Sequence, residues 1–361
     1  MNIGPLTLAS PFVVSPMAGM TDTAFRRLVK RQGGCGLVVS EMVSSEGLVR
    51  GMDRTLEYAE YTEEERPVSI QIFGGEPARM AEAARVVEGM GADIVDVNMG
   101  CPVPKVAKHH AGCSLMRDPA HAAEIIAAMT RAVSIPVTVK MRKGWDEGAV
   151  NAPDLARRVE GAGAAALAVH GRTAKQSYTG LADWDLVAEV AQSVSIPVFG
   201  SGDCVEPEQI VARMHSGVSG VFVGRGVLRN PWILSQAQDL IAGRPKRVIS
   251  VEERGQFLLD YIQLLVNERT GEYAGFRHSA TDHPNTAAAV APPPAIGRER
   301  WVINKLRALC GWYTKGFDGG AQLRTGINTA QSLDELRDLI GAFFFTARPR
   351  WSPQDVPAVV R

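Results

Sequence analysis

Cysteine is scarce in this chain and its few copies are not arranged in pairs. Cys35, Cys101, Cys113, Cys204 and Cys310 form no CxxC and are odd in number. That argues against a disulfide framework or a zinc site, so no metal is expected, and it fits a reducing, cytoplasmic setting. No apolar run approaches about 20 residues, and no basic N-terminal stretch leads into an apolar core. Neither a membrane span nor a secretory leader is expected. Net charge is absent too, with 39 Lys and Arg against 39 Asp and Glu, but the balance hides an asymmetry. Residues 1–240 carry 23 basic against 27 acidic side chains, and residues 241–361 carry 16 against 12. A basic C-terminal part on an acidic body points to a polyanion-facing surface.

Short apolar runs, each closed by a Gly- or Pro-containing turn, recur through the first 226 residues. They are Phe12–Ser15, Gly36–Ser40, Val68–Ile72, Ile94–Val97, Val137–Met141, Ala166–Val169, Val198–Phe199 and Gly220–Val223. Between them lie Ala-rich amphipathic stretches such as Ala78–Met90, Ala120–Ala132 and Glu206–His215. Strands alternating with helical stretches mean parallel βαβ units. Eight of them predict an α/β chain folded as a (β/α)8 TIM barrel. A doubly wound sheet is the alternative, but no GxGxxG follows the first strand. After Arg225 the texture changes. Val251–Glu268, Arg300–Tyr313 and Leu333–Phe345 have helical periodicity, so a helical bundle is expected over 241–345. It is interrupted by an Ala/Pro-rich insertion near 274–297 and followed by a tail over 346–361, with the barrel taking 1–240.

A barrel of this kind presents its working residues at the carboxyl ends of its strands. Those positions hold Pro16-Met17-Ala18, Glu41, Gln71, Asn98 with Cys101, Lys140 with Arg142, His170 with Arg172, Ser201-Gly202-Asp203 and Gly224-Arg225. In Asp96-Val-Asn-Met-Gly-Cys101-Pro, Gly100 and Pro102 exclude a helix or strand interior for Cys101. Asn98 and Cys101 are placed just past the strand. The Gly-rich turns after the last two strands, with Arg225 beside them, form a phosphate cup. Lys140, aimed at the barrel centre, either stabilises an anion or forms a Schiff base. Cup, cation, the Gln71 amide and the His170 imidazole together describe an FMN pocket.

The motifs PMAGMTD, SIQIFG, GCPVPKVAKHHAGCSLMRDP, TVKMRKGW, VHGRTAKQSYTG and VGRGVLRNPW resemble the tRNA-dihydrouridine synthases, most closely the bacterial B-type branch. The likeness runs from about Pro11 to Pro231 and continues through GWYTKG. It implies an FMN-holding barrel, a C-terminal bundle that grips tRNA, and reduction of the C5=C6 bond of D-loop uridines, with NADPH as electron source. By position it implies FMN contacts at Pro16, Met17, Ala18, Gln71, Lys140, Ser201, Gly202, Asp203, Gly224 and Arg225, with His170 near the flavin. Cys101 falls on the family's catalytic cysteine, and Asn98, Arg142 and Tyr178 fall where the family meets the target nucleotide. The family's turn after strand seven usually reads Gly-Asn-Gly-Asp; here Ser201 takes the place of Asn. Hydride arrives at C6 and Cys101 supplies the proton to C5, with His109 and His110 as alternative acids. Arg298, Arg300, Lys305, Arg307, Lys315 and Arg324, interleaved with Trp301, Trp312 and Tyr313, are expected to face tRNA phosphates and bases. A monomer is expected. The competing readings are a flavin oxidoreductase acting on a small pyrimidine or enone, a flavin-free lyase using Lys140, and a non-catalytic RNA-binding barrel.

Overall fold

The computed structural model describes residues 1–107, 110–267, 277–278 and 295–346. Most of the 274–297 insertion, the tail beyond 346, Lys108 and His109 lie outside the described residues.

Eight parallel strands close on themselves: β1 Phe12–Val14, β2 Leu37–Val39, β3 Val68–Phe73, β4 Ile94–Met99, β5 Val137–Arg142, β6 Ala166–His170, β7 Val198–Ser201 and β8 Gly220–Val223. Closure is set by the register of β8 on β1, with Val221 opposite Phe12 and Val223 opposite Val14. The chain is therefore a (β/α)8 TIM barrel followed by C-terminal helices. One strand face, including Val95, Val97, Val139 and Val169, packs outward against the helices. There each fully buried Val or Ile contributes about 1.5–3 kcal/mol. The barrel helices start on side-chain caps: Asp22 accepts from the Phe25 N–H, Asp118 from that of His121 and Asp183 from that of Leu186, satisfying donors that a first turn leaves unpaired.

The inward face is graded. Near the floor it is apolar, with Val13, Leu37, Val39, Ile94, Ala166 and Phe199 packed with Ile3 and Leu8. Ile3 belongs to a hairpin of Asn2–Ile3 and Leu6–Thr7, which the sequence patterns do not reveal. Toward the mouth the inward positions become polar: Gln71, Asp96, Asn98, Thr138, Lys140, Arg142, His170 and Ser201. This grading moves several strand ends beyond the apolar runs. Asn98 is not past β4 but within it, opposite Lys140, and Arg142 and His170 face each other as the last residues of β5 and β6.

The C-terminal part holds α1 Val251–Asn267, α2 Ala295–Tyr313, α3 Gly320–Thr329 and α4 Leu333–Phe344. The α3 helix is absent from the periodicity reading. Its GAQLRTGINT sequence carries two glycines and two threonines, which blur a helical face. Phe257 and Tyr261 of α1 meet Phe25 of the barrel edge-on at 6.3 Å, so bundle and barrel share one core. A two-residue strand, Arg277–His278, pairs antiparallel with Tyr61–Thr62.

Candidate active site at the barrel mouth

A cavity of about 580 Å³ opens at the carboxyl ends of the strands. Its lining brings together Pro16, Met17 and Ala18 after β1, Gln71 on β3, Asn98 and Cys101 around the end of β4, and Lys140 and Arg142 on β5. His170 and Tyr178 follow β6, Ser201, Gly202 and Asp203 end β7, and Gly224 and Arg225 end β8. Arg298, Lys305 and Arg307 are not part of it.

The Cys101 turn is held from both sides. Asn98 Oδ1 accepts from the Gly100 N–H at 3.2 Å and from the Cys101 N–H at 2.9 Å. Arg142 Nε donates to Gly100 O at 2.7 Å, and its Nη1 donates to Thr173 O and Ser177 O. Arg142 thus ties the loop after β4 to the loop after β6. The Cys113 N–H closes the segment by donating to Cys101 O at 3.0 Å. Gly112, at φ 61°, passes so close that a Cβ there would meet Cys101 O at 2.8 Å, which only glycine tolerates. Burial pushes the Cys101 thiol above its ordinary range, opposed by a hydrogen bond from the Val103 backbone and by the Arg142 charge. A partly buried thiol that stays protonated is a proton donor rather than a nucleophile.

Lys140 stands on the inward face of β5, where burial and the Arg142 charge lower its pKa to about 8, with Asp96 opposing. It remains mostly a cation at neutral pH. His170 is buried close to Lys140, Arg142, Arg172 and Arg225; desolvation first and these charges second depress it to about 2. The imidazole is therefore neutral, offering one donor and one acceptor.

After β7 the chain turns through Gly202 at φ 128° and Asp203 at φ 54°. A Cβ on Gly202 would strike the Ala182 methyl at 2.5 Å and the His170 ring at 3.2 Å. The Asp203 carboxylate accepts from Arg172 Nη2 at 2.7 Å and from the Ala182 N–H at 2.6 Å, and Arg225 lies 3.6 Å away. Its side chain thus organises the loops after β6 and β7. The Ser201 side chain is buried at the cavity wall.

Tyr178 stands 61% exposed at the lip, with the Arg225 guanidinium 5.2 Å and that of Arg142 5.9 Å from its ring centre. The exposed ring is thus flanked by two cations of the cavity wall. Trp312, from α2, completes the cavity wall, and Lys315 Nζ sits 4.0 Å over its ring. Desolvation lowers the Lys315 pKa, and Arg229, Arg324 and Arg225 add to the effect. Four cations therefore converge at the seam between barrel and bundle.

Three of the cations expected to face phosphate, Arg298, Lys305 and Arg307, are instead engaged within the chain. Arg298 donates from Nε and Nη2 to Leu265 O and stacks 4.3 Å over Trp301. Arg307 donates to Ile327 O and Ala330 O, carbonyls at the end of α3. Lys305 points into the barrel, 3.0 Å from Asp22 Oδ2 and 3.5 Å from Glu41 Oε1. This departs from the outward placement expected of them, because unpaired helix-end carbonyls and largely buried carboxylates bind them first. Tyr313, considered for base stacking, is buried, stacked on Phe257 and bonded through its hydroxyl to Arg254 O.

Barrel, lip and seam define a TIM-barrel oxidoreductase-type site with room for a flat anionic cofactor and a large substrate. The dihydrouridine synthase (Dus) family model matches residues 13–292. A probable tRNA-dihydrouridine synthase of Rickettsia bellii is 36% identical over 347 residues, 95% of this chain and 98% of that protein. The tRNA-dihydrouridine synthase B of Xanthomonas campestris pv. campestris is 39% identical over 295 residues, 80% of this chain and 89% of that one. Among solved structures, 2-naphthoyl-CoA reductase with 2-naphthoyl-CoA superposes with a TM-score of 0.52 at 14% identity, covering 68% of this chain and 52% of the other, a likeness of fold alone. The chain belongs to the dihydrouridine synthase family.

Proposed function

We propose that this chain is a flavin-dependent tRNA-dihydrouridine synthase that reduces the C5=C6 bond of D-loop uridines. The observation that carries the reading is the Cys101 thiol, whose burial favours its protonated form, held by its turn at the lip of a cavity whose wall carries the Lys140 cation. The residues fit FMN: the Gly202 cradle has no space for a side chain, and Arg225 stands beside the backbone N–H groups that would receive the phosphate. Lys140 and the neutral His170 would serve the ring, with Gln71 donating from its amide. FMN held there would, once reduced, be the source of hydride for C6 of the uracil, with NADPH as the electron source and the cytoplasm as the setting. Tyr178 and Arg142 would receive the uracil turned out of its stack. Asn98 orients the Cys101 turn, and the thiol hands its proton to C5, neutralising the charge left on the ring.

The seam cluster of Arg229, Lys315 and Arg324 would hold the tRNA backbone, in a monomer. The test is to purify the protein, record its flavin spectrum and incubate it with NADPH and unmodified tRNA. Dihydrouridine measured by mass spectrometry is expected from folded tRNA and not from free uridine. A colourless protein, or equal turnover of free uridine or a simple enone, would overturn the reading, the latter in favour of a small-molecule reductase.

A further inference from the structure

We propose that Asp96 is a positioning residue that fixes the hydrogen-bonding direction of Gln71 and Asn98, and through them the seat of Cys101. The proposal builds on the role given to Cys101 above. Asp96 is 3% exposed and lies inside the barrel below the mouth cavity. One carboxylate oxygen accepts from Gln71 Nε2 at 2.7 Å and the other from Thr138 Oγ1 at 2.6 Å. Gln71 Oε1 in turn accepts from Asn98 Nδ2 at 2.7 Å. Asn98 Oδ1 accepts from the Gly100 and Cys101 N–H groups.

The direction of this chain is fixed independently at its two ends. A backbone N–H can only donate, so Asn98 must turn its oxygen to Cys101 and its nitrogen to Gln71. An ionised carboxylate can only accept, so Gln71 must turn its nitrogen to Asp96 and its oxygen to Asn98. Both ends demand the same order, and flipping either amide would set donor against donor or acceptor against acceptor. The remaining amide proton of Asn98 is directed to Met42 Sδ at 3.8 Å, and that of Gln71 is left for the cavity, which both line. Gln71 thus presents a donor, suited to the carbonyl oxygen of a uracil or flavin ring. Burial raises the Asp96 pKa; Gln71, Thr138 and Lys140 each pull it down.

Two variants decide the matter. Asp96→Asn keeps the shape but can donate or accept, so the order is no longer imposed. The paired variant Gln71→Glu/Asp96→Asn moves the carboxylate one step along the chain. The carboxylate introduced at position 71 would then accept from both the amide introduced at position 96 and the Asn98 amide, restoring the direction at Asn98. The first readout needs no turnover: alkylation of Cys101 by iodoacetamide, followed site by site by peptide mass spectrometry. Asp96→Asn is expected to raise that rate about tenfold as the turn opens more often, and the paired variant to return it to within about twofold of the parent. The second readout is kcat against KM for tRNA. Asp96→Asn is expected to lower kcat roughly 10- to 100-fold with KM within about twofold, the pattern of a misplaced group. A parent alkylation rate in Asp96→Asn, or a folded paired variant that stays fast, would overturn the proposal. If Asp96→Asn does not fold, the paired variant alone decides by the same rate. Failure of both to fold would also overturn it, since Asp96 would then serve the fold. A parent rate of turnover in Cys101→Ala would instead remove the acid role and leave the alkylation result standing.

Discussion

Arg298, Lys305 and Arg307 all stand on α2, and Arg229, Lys315 and Arg324 lie around the seam of bundle and barrel, yet the two groups of cations have different surroundings. Members of the first group are tied to carbonyls at helix ends or to the carboxylates of Asp22 and Glu41. In the second group Arg229 and Arg324 raise the cost of charging Lys315. Arg324 is anchored by hydrogen bonds to Thr314, which leaves its charge uncompensated among the described residues. A cation that has satisfied a carbonyl holds the fold together. Mutually repelling cations store a positive potential that an incoming phosphate would relieve. The same residue types thus serve structure in one place and, on the function proposed above, recognition in the other.

The chemistry of the lip sets the upper end of that comparison. Cys101→Ala removes the proton donor and none of the cations, so tRNA reduction should fall by roughly 10²–10⁴-fold. Flavin content, NADPH oxidation and the salt dependence of tRNA binding should be unchanged. Single-turnover oxidation of the reduced flavin by tRNA measures the loss; a parent rate would assign the proton to another group. The raised thiol pKa also gives a sign. The acid form should persist through neutral pH, and the rate should decline only toward alkaline pH.

Lys305→Ala tests the structural cations. Its Nζ sits against Asp22, Glu41 and the Gly19 carbonyl, while Glu41 Oε2 accepts from the Gly19 N–H at 2.5 Å. Gly19 directly follows the cavity-lining Pro16-Met17-Ala18, so the lysine braces a wall of the site from the bundle. Removing it should cost on the order of 2 kcal/mol, read from denaturant unfolding. Burial already raises the Glu41 pKa, and Lys305 opposes that rise; in the variant the folded-state value should climb further. A carboxyl whose folded pKa exceeds its unfolded value favours the fold at low pH and loses that advantage as pH rises through the folded pKa. The stability deficit should therefore be small near pH 4 and grow toward neutrality. A deficit independent of pH would show that the carboxylates are not what Lys305 serves.

For the seam, Arg229→Gln with Lys315→Gln should weaken tRNA binding and reduce the log–log salt slope by about 1.5–2. Flavin retention and thermal stability should be close to the parent. An unchanged slope would mean that the phosphates are held elsewhere, as by Lys105 in the loop after β4 or by the barrel rim.

Little of this division was legible in the sequence, whereas the barrel was. The Gly220–Val223 run matches β8 residue for residue, because both faces of that strand are apolar. β4, β5, β6 and β7 extend beyond their apolar runs because Asn98, Arg142, His170 and Ser201 point inward at the mouth, and a polar side chain on the functional face ends a hydrophobic pattern early. Gln71, Lys140 and His170 could be read from position alone, since closure of the barrel gathers all strand ends at one rim, whereas Tyr178, in the loop past β6, was named only by the family resemblance. Asp96, in the middle of an apolar run, has no pattern to mark its hydrogen bonds, which cross to Gln71 and Thr138 on other strands. The cations were misplaced for a related reason. Charge and spacing show that Arg307 lies on a helix, but not that the last carbonyls of α3 will fold against it.

Arg307→Ala makes the smallest and most discriminating change. Its guanidinium bridges Ile327 O and Ala330 O, carbonyls that α3 cannot satisfy from within, and its positive charge faces the negative end of that helix. Loss of two such hydrogen bonds at a partly exposed site should cost about 1 kcal/mol, seen as a modest fall in the unfolding midpoint. The tRNA salt slope should stay at the parent value, because a guanidinium bound to two carbonyls is not released for a phosphate. Arg307→Lys should recover only part of the stability, since one ammonium cannot reproduce the forked geometry. A flattened slope at parent stability would place Arg307 with the seam cations instead, and the distinction between structural and phosphate-facing charge in the bundle would fail at this residue.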